Sequence, residues 1–329
     1  MAASGCRLYQ HISRMAYMGF VAVIRHWRDV QANFRIAREA LLHEQPDALV
    51  LIDYPSFNLR MAAFCKKHLP ATKIYYYIPP KVWAWKRRRV HTIARLCDRV
   101  LGIFPFEPAF YAQYGYCCEY VGNPTVEELP AVQRPYGPTA QRSVIAILPG
   151  SRLSEITHCL PRMMEAARRY PHYRITVCAA PGIADEAYSP YLREGEQLTR
   201  DTYAALQTAA AAVVNSGTAT LETALLGCPQ VAVYHLAASR AIGLVRSWAQ
   251  PIFFSIPYFT LVNIIAGKPV IKECVADEFT VDKVAAELGR LLTDESYQKE
   301  MLASYEHLSS VLGTRPAAAT AAQIITLRP

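Results

Sequence analysis

NSGTATLE, residues 215 to 222, stands between a short apolar run and a segment with helical periodicity, so it marks a strand that turns into a helix. A helix N-terminus presents backbone N–H groups and the positive end of the helix dipole, and phosphate binds there. Ser216, Gly217 and Thr218 fall at this turn. Glu222, one helical turn later, could accept both hydroxyls of a ribose. The pattern indicates a nucleoside diphosphate site, although an ordinary capped helix explains it equally well.

A second loop of the same kind follows the apolar run at 144–148 and reads Pro149, Gly150, Ser151, Arg152. Gly150 lets the backbone approach a phosphate closely, and Arg152 offers a planar fork of N–H donors. Neither a Walker A pattern nor GxGxxG is present, which argues against a P-loop and leaves a dinucleotide fold unsupported. Two such loops in one half of the chain favour nucleotide binding over two unrelated turns.

Composition narrows the class of protein. The chain has 329 residues and is 52% hydrophobic, enough for two domains with large cores. Its nine cysteines show no CxxC spacing, which is typical of a reduced compartment and not of a disulfide framework or a zinc site. HExxH and DxD are both absent, so we expect neither a bound metal nor a cofactor.

Charge indicates anionic partners. The net charge is +8 and the pI is about 9.0, and the densest basic run spans residues 86–89. The chain shows no zinc finger, RNP motif or basic tail, so anionic lipid headgroups or phosphorylated substrates are favoured over nucleic acid, although solvated helix faces explain most charge runs. No signal peptide is visible, and the apolar stretches at 15–24 and 248–267 are too short or too interrupted to span a bilayer. We expect a soluble chain that contacts a membrane at most peripherally.

Strand patterns alternate with helical patterns in two units, which predicts an α/β fold with parallel sheets. A proline-rich polar stretch between them is the best linker. We therefore expect domains at 1–124 and 143–329, a linker at 125–142, and last helices that pack back on the first domain. The predicted strands are 48–52, 73–78, 99–104, 144–148, 174–179, 211–214 and 231–235; the predicted helices include 59–68, 87–97, 281–292 and 295–312.

Asp53 follows the first predicted strand directly, and Pro55 restricts the turn after it. Ligands of open α/β sheets bind at the carboxyl ends of strands, so a carboxylate here is placed for catalysis. Taken alone, an Asp that caps the next helix is the better interpretation.

Six motifs together resemble the lipid-A-disaccharide synthase family, in order and spacing: IDYPSFN (52–58), PKVWAW (80–85), FPFE (104–107), VGNP (121–124), LPGSR (148–152) and NSGTATLE. The resemblance implies the GT-B fold, with two Rossmann-like domains facing a cleft. It implies a metal-independent glycosyltransferase that moves 2,3-diacylglucosamine from UDP to 2,3-diacylglucosamine 1-phosphate and gives the β-1,6 disaccharide of lipid A and UDP. Retaining GT-B enzymes carry two glutamates around this helix; Val214 and Gln230 stand here, which favours inversion.

The resemblance also implies residue roles. Asp53 corresponds to the general base. The resemblance further implies a cytoplasmic enzyme, peripheral on the inner face of the Gram-negative inner membrane, with the two acylated sugars as its partners. The UDP site corresponds to Gly150, Ser151, Arg152, Ser216, Gly217, Thr218, Glu222 and Asn263; the acceptor or cleft side to Asn58, Trp83, Trp85, Glu107 and Asn123; and the membrane contact to Val21, Ile24 and Trp27.

Three departures from the family pattern stand out. Ser56 replaces a usual Asp, and Asn123 replaces a usual His that can titrate. The start of the chain aligns inside the family's first domain, so we expect the opening strand and a glycine-rich loop to be missing, with loss of solubility and activity. Other functions stay open at this point: a UDP-sugar 2-epimerase, an N-acetylglucosaminyltransferase, or an inactive relative that binds lipid or nucleotide. Residues 21, 24 and 27 could equally pack on the domain core.

Overall fold

A computed structural model describes residues 5–10, 27–84, 86–129, 142–235 and 257–327. The chain divides into two units. The first comprises Met1–Gly122 together with Ala317–Pro329, and the second comprises Asn123–Pro316.

The first unit is built on a four-stranded parallel sheet in the order β1-β2-β3-β4. Tyrosines fill the second strand, and their bulk suits a pleated, buried surface: Tyr76 is fully buried and Tyr75 nearly so. The elements are α1 (Trp27–Glu44), β1 (Ala48–Ile52), α2 (Pro55–His68), β2 (Lys73–Tyr77), α3 (Arg89–Leu96), β3 (Arg99–Gly102), α4 (Glu107–Ala112), β4 (Glu119–Tyr120) and, from the end of the chain, α12 (Ala317–Thr326).

The last helix contributes to the core of the first unit. Ala321 packs in a buried cluster with Leu101 and Val121, and its small side chain lets the helix approach the sheet closely. The helix before it, α11, belongs instead to the second unit.

The second unit holds a six-stranded parallel sheet in the order β10-β9-β8-β5-β6-β7. Every residue of its two central strands, β5 and β8, is buried, as expected where helices cover both faces of a parallel sheet. The elements are α5 (Pro124–Glu128), β5 (Val144–Leu148), α6 (Leu153–Ala167), β6 (Arg174–Cys178), β7 (Gln197–Thr199), α7 (Thr202–Thr208), β8 (Ala209–Asn215), α8 (Thr218–Leu225), β9 (Gln230–Tyr234), α9 (Leu261–Ala266), β10 (Glu273–Val275), α10 (Val281–Thr293) and α11 (Glu295–Leu312).

The predicted strands and helices are present, with ends that differ by a few residues. The main difference lies at the start of the predicted linker, where residues 124–128 form α5. Asn123 caps this helix by accepting a hydrogen bond from the Thr125 N–H at 2.9 Å, and Pro124 suits its first position. Residues 130–141 of the predicted linker lie outside the described part of the chain.

All nine cysteines are free thiols. Within the ranges that the structure describes, no three His, Cys, Asp or Glu side chains lie close enough together to hold a metal ion. No described helix is both long and apolar enough to cross a membrane.

Candidate active site

A pocket of about 450 Å³ opens at the carboxyl ends of β5 and β8. These neighbouring strands lie where the strand order reverses: the chain proceeds from β5 outward through β6 and β7, then returns to β8 and proceeds the other way. Loops at such a point diverge to opposite faces of the sheet and leave a crevice between them. The pocket is lined by seven of the eight predicted UDP-site residues: Gly150, Ser151, Arg152, Ser216, Gly217, Thr218 and Glu222.

Position 150, in the loop after β5, suits only glycine. Gly150 has φ +115°, a conformation that L side chains rarely adopt. A β-carbon there would lie 2.6 Å from the Asn215 amide nitrogen and would also collide with the Glu155 carboxylate. The close approach packs this loop against the end of β8, so the two loops form one wall of the pocket.

The other wall is the start of α8. The helix begins at Thr218, and the space beside Gly217 is open, so the backbone is accessible from the pocket. The first-turn N–H groups and the helix dipole are features that suit an anion. Ser216 lies alongside and donates from its hydroxyl to the Phe259 carbonyl at 3.5 Å.

Glu222 lies one turn into α8 and lines the same pocket half-buried. Its burial and, to a smaller extent, the nearby negative charge of Glu128 raise the pKa of the Glu222 carboxyl above its ordinary value. A ligand with hydroxyl groups would donate hydrogen bonds to this carboxylate and so offset its partial loss of hydration. Its position therefore suits a ribose diol.

Asn263, the eighth predicted residue of the UDP site, is not one of the residues that line this pocket. Its side chain is buried and fully used inside the protein. Its Oδ1 accepts from the N–H groups of Val270 (2.8 Å) and Ile271 (2.9 Å), and its Nδ2 donates to the Ile271 carbonyl and to Glu273, both at 2.9 Å. Asn263 therefore holds the 260–271 segment in shape.

Asp53 occupies a strained turn at the end of β1 in the first unit. Asp53 and Tyr54 have φ values of +46° and +40°, and Ile78, at the end of the adjacent β2, has φ +56°. A β-branched residue with positive φ is a genuine outlier, and such strain concentrates at functional sites. The Asp53 carboxylate is exposed.

The turn is held from below by side chains that bond its backbone. The Tyr76 hydroxyl and the Asn58 amide both donate to the Asp53 carbonyl, at 2.8 and 2.6 Å, and Asn58 also donates to the Ile52 carbonyl at 2.9 Å. Asn58, which was predicted for the acceptor or cleft side, is buried beneath the turn and bonds the backbone of Asp53.

Trp83 and Glu107, which were predicted for the acceptor or cleft side, are likewise buried. Trp83 is 3% exposed and meets Phe104 and Phe106 edge to face, while Glu107 is completely buried. The Glu107 carboxylate accepts from the Trp83 indole N–H (3.1 Å) and from the N–H groups of Ile103 (2.8 Å) and Phe104 (2.9 Å). These two residues join the 80–84 and 102–107 segments.

The remaining predicted residues contribute less. Asn123 is buried, and its Oδ1 caps α5. Trp85, Val21 and Ile24 lie outside the described residues, and Trp27 begins α1 with a side chain that the structure does not describe.

Sequence reasoning missed the three other lining residues of this pocket that carry a carboxylate, amide or hydroxyl side chain. Glu155 and Asn215 approach Gly150, and Thr202 begins α7 at the end of the neighbouring strands. A carboxylate in the first turn after a glycine loop, as in GSRLSE at 150–155, is a signal that could have identified Glu155. Thr202 follows no comparable motif.

Glu107 makes the stability of the first unit depend on pH. Burial raises the pKa of this carboxyl to about 7. The folded state therefore holds the proton more tightly than the unfolded state, so its contribution to stability is fully present below the ordinary carboxyl pKa and is lost as pH rises through about 7. We expect a loss on the order of 2 kcal/mol from this residue.

Urea unfolding at pH 5 and pH 8 tests this expectation in the wild type and in Glu107→Gln, which cannot titrate. Between pH 5 and pH 8, the free energy of unfolding should fall less in the variant than in the wild type, because the contribution of Glu107 is absent. Equal pH dependence in the two proteins would contradict the assignment to Glu107.

Comparisons with known proteins point to one family. A family model described as Lipid-A-disaccharide synthetase matches residues 1–325. The lipid-A-disaccharide synthase of Trichlorobacter lovleyi is 35% identical over 328 residues, covering 95% of this chain and 83% of that protein. The one of Myxococcus xanthus is 33% identical over 344 residues, covering 99% and 86%.

Solved structures agree on the fold. The glycotransferase of kitacinnamycin superposes with a TM-score of 0.62 at 13% identity, covering 98% of this chain and 88% of that one. The UDP-GlcNAc 2-epimerase from Neisseria meningitidis gives a TM-score of 0.60 at 10% identity, covering 92% and 82%. At such identities the likeness shows the fold alone, and it confirms the predicted α/β fold of the GT-B class.

Proposed function

Because the chain belongs to the lipid-A-disaccharide synthetase family, it is a glycosyltransferase of lipid A biosynthesis, and we propose that it uses UDP-2,3-diacylglucosamine as donor and 2,3-diacylglucosamine 1-phosphate as acceptor. The products would be UDP and the β-1,6-linked disaccharide. The observation that carries the proposal is the pocket in which the Gly150 loop, the start of α8 and Glu222 meet. It offers donors for a diphosphate and an acceptor for a ribose within one cavity.

In the proposed reaction the acceptor's 6-hydroxyl attacks the anomeric carbon of the donor. Asp53 takes the hydroxyl proton as the new C–O bond forms, and the bond from the anomeric carbon to the UDP oxygen breaks. Attack from the face opposite the leaving group inverts the configuration. The exposed carboxylate on a braced turn suits this role, since it is accessible while its backbone is held.

The leaving group gains negative charge as the bond breaks. Arg152 and the first turn of α8 present a guanidinium and preorganised backbone N–H groups to the pocket where that charge would develop. Preorganised donors stabilise developing charge more than water does, because they need no reorientation. The donors present on this chain thus favour departure of UDP.

Removal of the base should stop transfer without affecting the nucleotide. We expect Asp53→Asn, which keeps the size of the side chain, to lower the transfer rate on the order of a hundredfold or more, because loss of a general base typically costs that much. UDP affinity, measured by calorimetry, should stay unchanged, since Asp53 lies in the other unit. Near-normal turnover would show that another group takes the proton.

Two residues of the pocket should affect nucleotide binding and leave folding intact. Arg152→Ala and Glu222→Ala should each weaken UDP binding about tenfold or more, through loss of a charge-assisted hydrogen bond. Arg169→Ala is the matched control, because this arginine forms an ion pair with Asp282 on the surface, at 2.5 Å, and does not line the pocket.

Calorimetric titration with UDP distinguishes binding from simple helix capping. If both variants bind UDP as tightly as the control, these residues serve only the local helix starts. Release of UDP that depends on an acylated acceptor separates the proposed synthase from a 2-epimerase or an inactive relative.

We also propose that the protein binds the inner face of the inner membrane through the region around Val21, Ile24 and Trp27. Support comes from α1, whose Arg28, Arg35 and Arg38 are exposed beside an open groove of about 710 Å³. Anionic headgroups attract such basic clusters, and apolar side chains can insert beside them. Both proposed substrates carry acyl chains, so docking at the bilayer would spare their extraction.

Vesicle sedimentation tests the membrane contact. The triple change Val21→Ser, Ile24→Ser and Trp27→Ser should reduce binding to anionic vesicles, whereas Val311→Ser, at an exposed apolar position of the second unit, should not. Undiminished binding by a folded triple variant would remove these residues from the membrane contact.

A further inference from the structure

Glu155 bonds both the backbone and the side chain of the loop that faces the pocket. Its Oε2 accepts from the N–H groups of Ser151 (2.9 Å) and Arg152 (3.3 Å), and its Oε1 accepts from the Arg152 guanidinium at 2.7 Å. The Glu155 side chain is 19% exposed, while that of Arg152 is 54% exposed. One largely covered carboxylate thus bonds both the backbone and the guanidinium of an accessible arginine.

Packing leaves the loop little freedom to depart from this arrangement. A β-carbon at Gly150 would lie 2.9 Å from the β-carbon of Glu155 and 2.6 Å from the amide nitrogen of Asn215. The loop is therefore held between the first turn of α6 and the end of β8. Because Glu155 bonds Arg152 directly, we expect a substitution at Glu155 to alter the position of Arg152 more than that of the sheet.

The first unit contains the same arrangement with a different outcome. Gly102 ends β3, and Glu107, five residues later in the next helix, accepts from the N–H groups of Ile103 and Phe104. A β-carbon at Gly102 would lie 2.7 Å from the Glu107 carboxylate. There the second carboxylate oxygen accepts from the buried Trp83.

The contrast between the two units indicates what Glu155 does. Both carboxylates shape a glycine loop at a strand end. The other carboxylate oxygen of Glu107 accepts a hydrogen bond from Trp83 in the core. The other carboxylate oxygen of Glu155 accepts from Arg152, which lines the pocket. A guanidinium has five N–H donors in one plane, so it can bond a carboxylate on one edge and a phosphate on another.

We propose that Glu155 is a positioning residue for the donor, one that holds Arg152 and the Gly150 loop ready for the diphosphate. The inference rests on the proposed function of the pocket. It opposes a second reading, in which the Glu155 carboxylate occupies the anion site in place of phosphate. The two readings predict changes of UDP affinity in opposite directions.

The test uses the full chain, UDP as the probe and Glu155→Gln. Glutamine can still accept from the loop N–H groups, but its NH₂ group cannot accept from Arg152. We expect UDP affinity to fall about tenfold, with a rise of the donor KM that exceeds the change of kcat. Glu165→Gln is the matched control, because Glu165 is an exposed glutamate of the same helix.

A double-mutant cycle separates positioning from general stability. In an Arg152→Ala background, Glu155→Gln should change UDP affinity little, because the residue through which it acts is gone. If the Gln variant does not fold, Glu155→Asp, which keeps the charge but is one methylene shorter, decides in the same way.

The outcomes are distinct. Unchanged or tighter UDP binding in Glu155→Gln, with normal binding by the wild type, overturns the positioning role alone. Additive effects of the two substitutions also overturn it. A wild type that does not bind UDP overturns the proposed function and this inference together.

Discussion

The parallel pairing of β5 with β8 is the constraint on which the second unit and its pocket depend. Leu148 pairs with Val214 at the carboxyl ends of these strands, so the chain leaves both strands at the same level and on the same edge. Because the sheet grows outward from this pair in both directions, the following loops diverge and leave a crevice. The Gly150 loop and the start of α8 are brought together by this pairing, although they lie more than sixty residues apart in the chain.

Around this frame the molecule uses buried polar side chains to hold backbone in place. Asn58 and Tyr76 bond the Asp53 turn, and Asn263 with Glu273 fixes the segment beside Ser216. Strained or irregular backbone persists only when its surroundings over-determine it, and buried hydrogen bonds supply that determination. With the backbone held in this way, only a few side chains, such as Asp53 and Arg152, need to be accessible.

Several residues that were predicted for the site bond the protein's own backbone or side chains in this structure. Asn58, Trp83, Glu107 and Asn263 occur in motifs next to the proposed site, yet each is nearly or fully buried and satisfied by protein atoms. A motif reports that a residue type is needed at a place. It does not report whether that residue contacts a ligand or holds the loop that does.

The sequence by itself determined the strands, the two glycine loops, the position of Asp53 and the family, because these depend on local apolar runs, turn residues and motif spacing. Only the tertiary structure decided the direction of the polar side chains. The Asn263 amide finds its partners at Val270, Ile271 and Glu273, and Trp83 finds its partner at Glu107, twenty-four residues away. Burial makes an unpaired polar group costly, so each such side chain turns toward whichever partner the fold places within reach. That partner depends on the packing of segments distant in sequence, which no local pattern records.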